Sequence, residues 1–209
     1  GWKVSDLKID NVVYNDPKTG LKSQLYERTI LDGKHKGETE YVYAIAGTEK
    51  GDKRDIVEDI ELNLGSSAQC QRATNNAIKI NEFLGSKVGL TFTGHSLGGA
   101  EAALSAYATN RNAITFNAAG LSETAIKTYT GIDTKSSPTK IEAYIWKTAP
   151  LHILQKQFAI PTANGSKHYR MDYSNTGLIN GHSIDNFLRI NKINPSFYQR
   201  HVHNTSGSW

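Results

Sequence analysis

Cysteine, proline and long apolar runs are all scarce in this 209-residue chain. A single cysteine, Cys70, cannot form an internal disulfide, so the fold is not a stapled mini-protein, and one thiol leaves the redox compartment open. The longest apolar runs, such as 41–46, fall far short of the roughly 18 residues that cross a bilayer, and no signal-like apolar stretch follows the N-terminus. Neither sign of charge dominates: Lys plus Arg number 24 against Asp plus Glu 20, a net charge of +4, with the two signs interspersed. That balance is too mild to argue for a nucleic-acid partner. Repeats, low-complexity blocks and composition shifts are also missing, so one domain over 1–209 is expected. The chain opens on Gly1 rather than methionine, which suits a processed product or an excised domain of something longer.

What is present alternates between strand and helix character. Residues 24–31 and 40–46 are rich in Tyr, Val and Ile around a turn at Asp32-Gly33, and predict two joined strands. Ala73, Ala77, Ile80 and Leu84 keep helical spacing and Gly85 follows at the C-cap position, predicting a helix over 69–84. A buried strand is expected at 87–93. The small residues of 97–109 predict a helix pressed tightly on a sheet. Further strands are expected at 113–116, 141–146 and 168–173, with a helix at 122–129 capped by Ser122 and a Ser/Pro-rich loop at 131–140. This alternation argues an α/β domain with a mostly parallel sheet and helices on both faces.

Between the strand at 87–93 and the helix at 97–109 lies Gly94-His95-Ser96-Leu97-Gly98, a G-x-S-x-G in the strand–turn–helix setting of a nucleophile elbow. So sharp a turn strains the central residue and crowds the backbone two positions to either side, where Gly94 and Gly98 leave room. It lifts the Ser96 hydroxyl above the sheet and aims the helix N-terminus at it, with the Leu97 amide able to donate to a developing oxyanion. The bland alternative is a turn whose serine only caps the helix.

Residues 91–100 (TFTGHSLGGA), with Ala44-Ile45-Ala46-Gly47-Thr48 upstream and 114–122 (ITFNAAGLS) downstream, resemble the class 3 lipase group of α/β-hydrolases, and most of all the lipase-like domains at the C-termini of bacterial secreted toxins. The resemblance runs from about Tyr41 to Asn186. It implies an α/β-hydrolase fold and hydrolysis of lipid esters without cofactor or metal. It also implies a second oxyanion donor at Thr48, although Ala46 stands where many lipases carry arginine, and Gly47-Thr48 also reads as a plain turn.

A serine nucleophile needs a base in reach, and in this fold the histidine follows the last strand. Of seven histidines, His182 in Asn180-Gly181-His182-Ser183-Ile184-Asp185-Asn186 fits best, and the family shows a similar His-Ser-x-Asp-Asn run. His95 lies inside the elbow with its side chain expected to point away, while His201 and His203 read as a solvated tail rather than metal ligands. The acid departs from the pattern. It belongs on the loop after 141–146, where related sequences carry Asp-Pro, yet this loop reads Lys147-Thr148-Ala149-Pro150-Leu151-His152 and holds no carboxylate. Glu142, Asp133 and Asp172 are substitutes in principle, none at the expected strand end. Either the natural triad is altered or the chain is an engineered inactive variant of a toxic enzyme, which the absent methionine suits. A water or Asn117 is then left to hold the imidazole ring.

The expected function is a lipolytic serine hydrolase, a phospholipase of A type or a broad lipase acting through an acyl-enzyme. It would be secreted or delivered into a target cell to act on membrane phospholipid, with a cognate immunity protein as a further partner. Two alternatives stay open: an inert lipid- or protein-binding module on a hydrolase scaffold, favoured only by Ala149, and a small-ester or thioester hydrolase. Residues 55–64, with Ile56, Val57, Ile60 and Leu64 at helical spacing, lie where class 3 lipases place a lid, but equally suit a core-facing helix.

Overall fold

The computed structural model describes residues 1–47, 67–133, 140–146, 149, 151 and 161–165, together with the backbone of 167–171. Its strands are β1 (Lys3–Val4), β2 (Asn15–Asp16), β3 (Leu21–Thr29), β4 (Thr39–Ile45), β5 (Gly89–His95), β6 (Asn112–Phe116), β7 (Ile141–Trp146) and β8 (Lys167–Met171). The helices are α1 (Ala68–Leu84), α2 (Leu97–Thr109) and α3 (Glu123–Thr130). The sheet runs β1-β3-β4-β5-β6-β7-β8, with β2 paired to β3. From β4 to β8 every pairing is parallel, while β3 meets β4 antiparallel across the turn that Asp32-Gly33 announces. Every expected strand and helix among the described residues is present with its ends moved by a few residues. β1 and β2 were not anticipated, because two-residue strands carry no period to read.

Helix α1 starts where Ser67 accepts from the amides of Gln69 and Cys70, and ends at Gly85 with φ 73°. Its inward stripe is Cys70, Ala73, Ala77 and Ile80, all fully buried. Asn76 lies beside that stripe: its side chain donates to the Val13 carbonyl (2.8 Å) and the Tyr43 hydroxyl (3.1 Å), and accepts from the Val13 amide (3.2 Å). The N-terminal segment is thereby fastened to the helix. Ser122 caps α3 as expected, and Gly131 closes it in the left-handed region.

Parallel strands added in one direction by right-handed crossovers place their helices on one side of the sheet. Accordingly α1, α2 and α3 all touch one another. Leu25, Tyr43, Phe92 and Leu90 form the core beneath them. The second helical layer expected from the sequence lies outside the described residues. A separate cluster of Tyr144, Trp146 and Ala149, with Ile114 and Phe116 against it, occupies the C-terminal ends of β6 and β7.

Candidate active site

Ser96 follows the last residue of β5 and precedes the first of α2, with φ 57° and ψ −123°, a left-handed backbone that is strained for any residue but glycine. Crowding explains its neighbours. A Cβ on Gly94 would overlap the Gly98 carbonyl, and one on Gly98 would overlap the Ile45 carbonyl at the end of β4. The strand can turn into a helix here only because both side chains are absent. Apart from Glu101, residues 98–103 down α2 are all Gly or Ala and all are buried, Gly99 pressing on Ala118.

The serine's own backbone is held on both sides. Its amide donates to the Phe116 carbonyl (3.1 Å), and its carbonyl accepts from Gly99 (3.0 Å), Ala100 (3.3 Å) and Ala119 (3.2 Å). Leu97 begins the helix, where an N–H has no intrahelical acceptor, so its amide is free of the helical ladder and sits at the positive end of the macrodipole. Gly47 also approaches closely: a Cβ there would lie 2.6 Å from the His95 carbonyl and 3.3 Å from the Ser96 Cβ. Gly47 therefore lies directly beside the serine. Thr48 itself, the lid segment 55–64, His152, Asp172, His182, His201 and His203 lie outside the described residues.

Two strands over from β5, Ala149 is fully buried against Tyr144 and Trp146, and its amide donates to the Trp146 carbonyl (3.0 Å). With strands about 4.8 Å apart, the end of β7 stands on the order of 10 Å from the nucleophile turn, a span an imidazole can bridge. Of the substitute acids, Asp133 is exposed, and Glu142 is buried near the start of β7, away from the strand's C-terminal end. Asn117 at the tip of β6 accepts from the Trp146 amide through its side-chain oxygen (2.9 Å).

A group the sequence reading passed over is Glu101, one turn along α2 and fully buried. Gln69 donates to one of its oxygens (3.4 Å), and burial pushes its carboxyl up to about 8. Cys70 beside it is pushed up to about 12, again chiefly by burial, and is no nucleophile. An alanine-rich helix gave no hint that its single acid faced inward. Among the described residues no cluster of His, Cys, Asp or Glu could hold a metal, and no helix is long and apolar enough to cross a membrane.

Residues 3–206 match the family described as the Tle-like phospholipase domain. The chain belongs to that family. Over 136 residues this phospholipase-like domain is 32% identical to the extracellular phospholipase A1 of Serratia liquefaciens, a match covering 65% of the chain and 38% of that relative's length. Among solved structures, a CIB-like hydrolase from Thermoplasma acidophilum aligns over 91% of this chain and 96% of its own, at 13% identity and a TM-score of 0.42.

Proposed function

We propose that this phospholipase-like domain is a serine hydrolase that cleaves carboxylic esters of phospholipids through an acyl-enzyme. The observation that carries the reading is Ser96 itself, held in a left-handed turn between β5 and α2 by glycines that admit no side chain. Such strain is retained where it positions a reacting group, and a helix cap does not need it. Ser96 Oγ attacks the ester carbonyl while His182 takes its proton. The oxyanion is held by the Leu97 amide and by Thr48. As the tetrahedral intermediate collapses, the ester C–O bond breaks and His182 returns the proton to the leaving alcohol. Water, deprotonated by the same histidine, then attacks the acyl-serine and releases the fatty acid.

Position 149 is the place of the triad acid, and the chain as it stands carries alanine there, which leaves it nearly inert. Without a carboxylate the imidazole lacks both its oriented tautomer and a counter-charge, a loss on the order of 10⁴ in turnover in a well-studied serine protease. The family and the Serratia relative, described as extracellular, support a phospholipid substrate met outside the producing cell. We extend the reading to A-type cleavage by a toxin delivered to a competitor or host membrane, with an immunity protein that covers the cleft around Ser96.

The fully buried apolar packing of Ala149 favours one second reading, an inert binding module on the same scaffold. A fluorophosphonate probe separates the two. The hydrolase reading expects labelling of Ala149→Asp, none of the same variant carrying Ser96→Ala, and release of fatty acid from phosphatidylcholine vesicles. Vesicle binding by Ala149→Asp without labelling or hydrolysis would establish the inert module. Turnover of short esters alone would leave a small-ester hydrolase.

A further inference from the structure

The parallel ladder between β6 and β7 does not stop where the strands do. Asn117 follows Phe116 and turns into the left-handed region with φ 42°, the only buried non-glycine residue besides Ser96 to do so among the described residues. Asparagine tolerates that backbone better than other residues with a Cβ. Its amide still donates to the Tyr144 carbonyl (2.8 Å). The turn carries its own carbonyl off the ladder, and its side-chain oxygen accepts instead from the Trp146 amide (2.9 Å). Trp146 in turn accepts from the Ala149 amide (3.0 Å), which closes the turn on which position 149 sits. On the other side of β6, Phe116 and Ala119 hold the amide and carbonyl of Ser96. The tip of β6 is therefore gripped by the nucleophile turn on one side and grips the position-149 turn on the other.

We infer that Asn117 is a positioning residue: by lending its side-chain oxygen to the Trp146 amide, it sets the position-149 turn at a fixed distance and angle from Ser96. Two properties are needed at once, tolerance of positive φ and a side-chain acceptor on a short stem, three bonds from Cα. Glycine supplies only the first, alanine neither, and aspartate both. Ring stacking of Phe116 on Tyr144, with centroids 5.5 Å apart, stiffens the same junction from the far face of the sheet.

The inference deepens the proposed function and rests on it for the kinetic half of its test. In an Ala149→Asp background, Asn117→Gly is expected to lower kcat by roughly tenfold or more, since a small misplacement of a catalytic group is costly, while KM changes less than about twofold. With each preparation normalised by fluorophosphonate titration, the acidic limb of kcat/KM should move down by about one pH unit, because a displaced carboxylate no longer favours the imidazolium. Asn117→Asp should keep kcat and leave the limb at or above its starting place. Equal behaviour of the glycine and aspartate variants, or a fall in titratable sites with an unmoved pH profile, would make Asn117 merely structural and overturn the inference.

The second measurement needs no activity, so it separates this inference from the proposed function. In the chain with Ala149, hydrogen exchange is followed at the amides of Trp146 and Ala149 with and without Asn117→Gly. Protection at both should drop by about tenfold or more, with the Ala119 amide unchanged. Should Ala149→Asp prove inert, that loss would sustain the role of Asn117 while the acid assignment fell; unchanged protection would end the role of Asn117 whatever the kinetics gave.

Discussion

Glu101 ties stability to pH in a direction opposite to most carboxylates. It lies on α2 against the first turn of α1, where Gln69 donates to one oxygen, while Oε1 has no partner among the described residues. Among the described residues, the other titratable groups that feel it are the Cys70 thiol on α1 and the hydroxyls of Tyr43 on β4 and Tyr129 on α3, and none offers a positive charge. Burial therefore raises the carboxyl from 4.5 to about 8. The N-terminus of α1, which has no acid in its own first turn, pulls the other way by about 1 kcal/mol. In the unfolded chain Glu101 ionises near its ordinary value, so between pH 4.5 and 8 unfolding releases a proton that the folded state retains. Stability from this group is full below pH 4.5, is lost at about 1.4 kcal/mol per pH unit as pH rises, and levels off above 8. The whole loss is on the order of 5 kcal/mol, a large share of a domain's stability. Glu101→Gln keeps the shape and the Gln69 contact without the charge. Urea unfolding of both chains from pH 5 to 9 gives a difference in which all other groups cancel. We expect the glutamine chain to gain steadily on its parent and to be more stable at pH 9. Parallel curves, within about 0.5 kcal/mol throughout, would mean that the buried carboxyl is ionised in the fold and that the reasoning is wrong.

Three other perturbations test separate parts of the structure. Ala149→Asp should raise ester hydrolysis by about 10³-fold or more. Because residue 149 is fully buried beside Tyr144 and Trp146, it should also lower the melting temperature; equal rates for the two chains would move the acid elsewhere, with Asp172 the first to try. Gly98→Ala drives a methyl into the Ile45 carbonyl, and a stability loss of about 3 kcal/mol or more is expected; less than about 1 kcal/mol in urea unfolding would show that the turn relaxes freely. Asn76→Ala strips partners from both polar groups of Val13 and from the Tyr43 hydroxyl, at a cost of about 2–4 kcal/mol. Limited proteolysis should then cut the N-terminal segment first, and unchanged resistance would mean that β1 and β2 hold it without help.

The strained turn at Ser96 was legible because its signal is local: two glycines at fixed offsets from a serine, between an apolar run and a small-residue helix, leave one backbone solution. The helices and longer strands were legible for the same reason, carrying their own period and, at Gly85 and Ser122, their own caps. Family resemblance pointed to position 149 as the place of the acid, and its lack of a carboxylate is plain in the sequence.

Other features have no local signature, because they depend on what another segment brings. Glu101 is an ordinary helix residue until α1 packs over it and removes its water. Asn117 reads as a strand-end residue near the imidazole, and its tie to β7 shows only when that strand lies alongside and presents the Trp146 amide to its oxygen. Gly98 is needed for the turn, but it is the end of β4, more than fifty residues away in sequence, that makes its missing side chain a necessity. Period, capping and turn chemistry act within a few residues and so can be read along the chain. Desolvation and close approach are set between residues far apart in sequence, and only the folded sheet, with β6 between the nucleophile and the turn at 149, decides them.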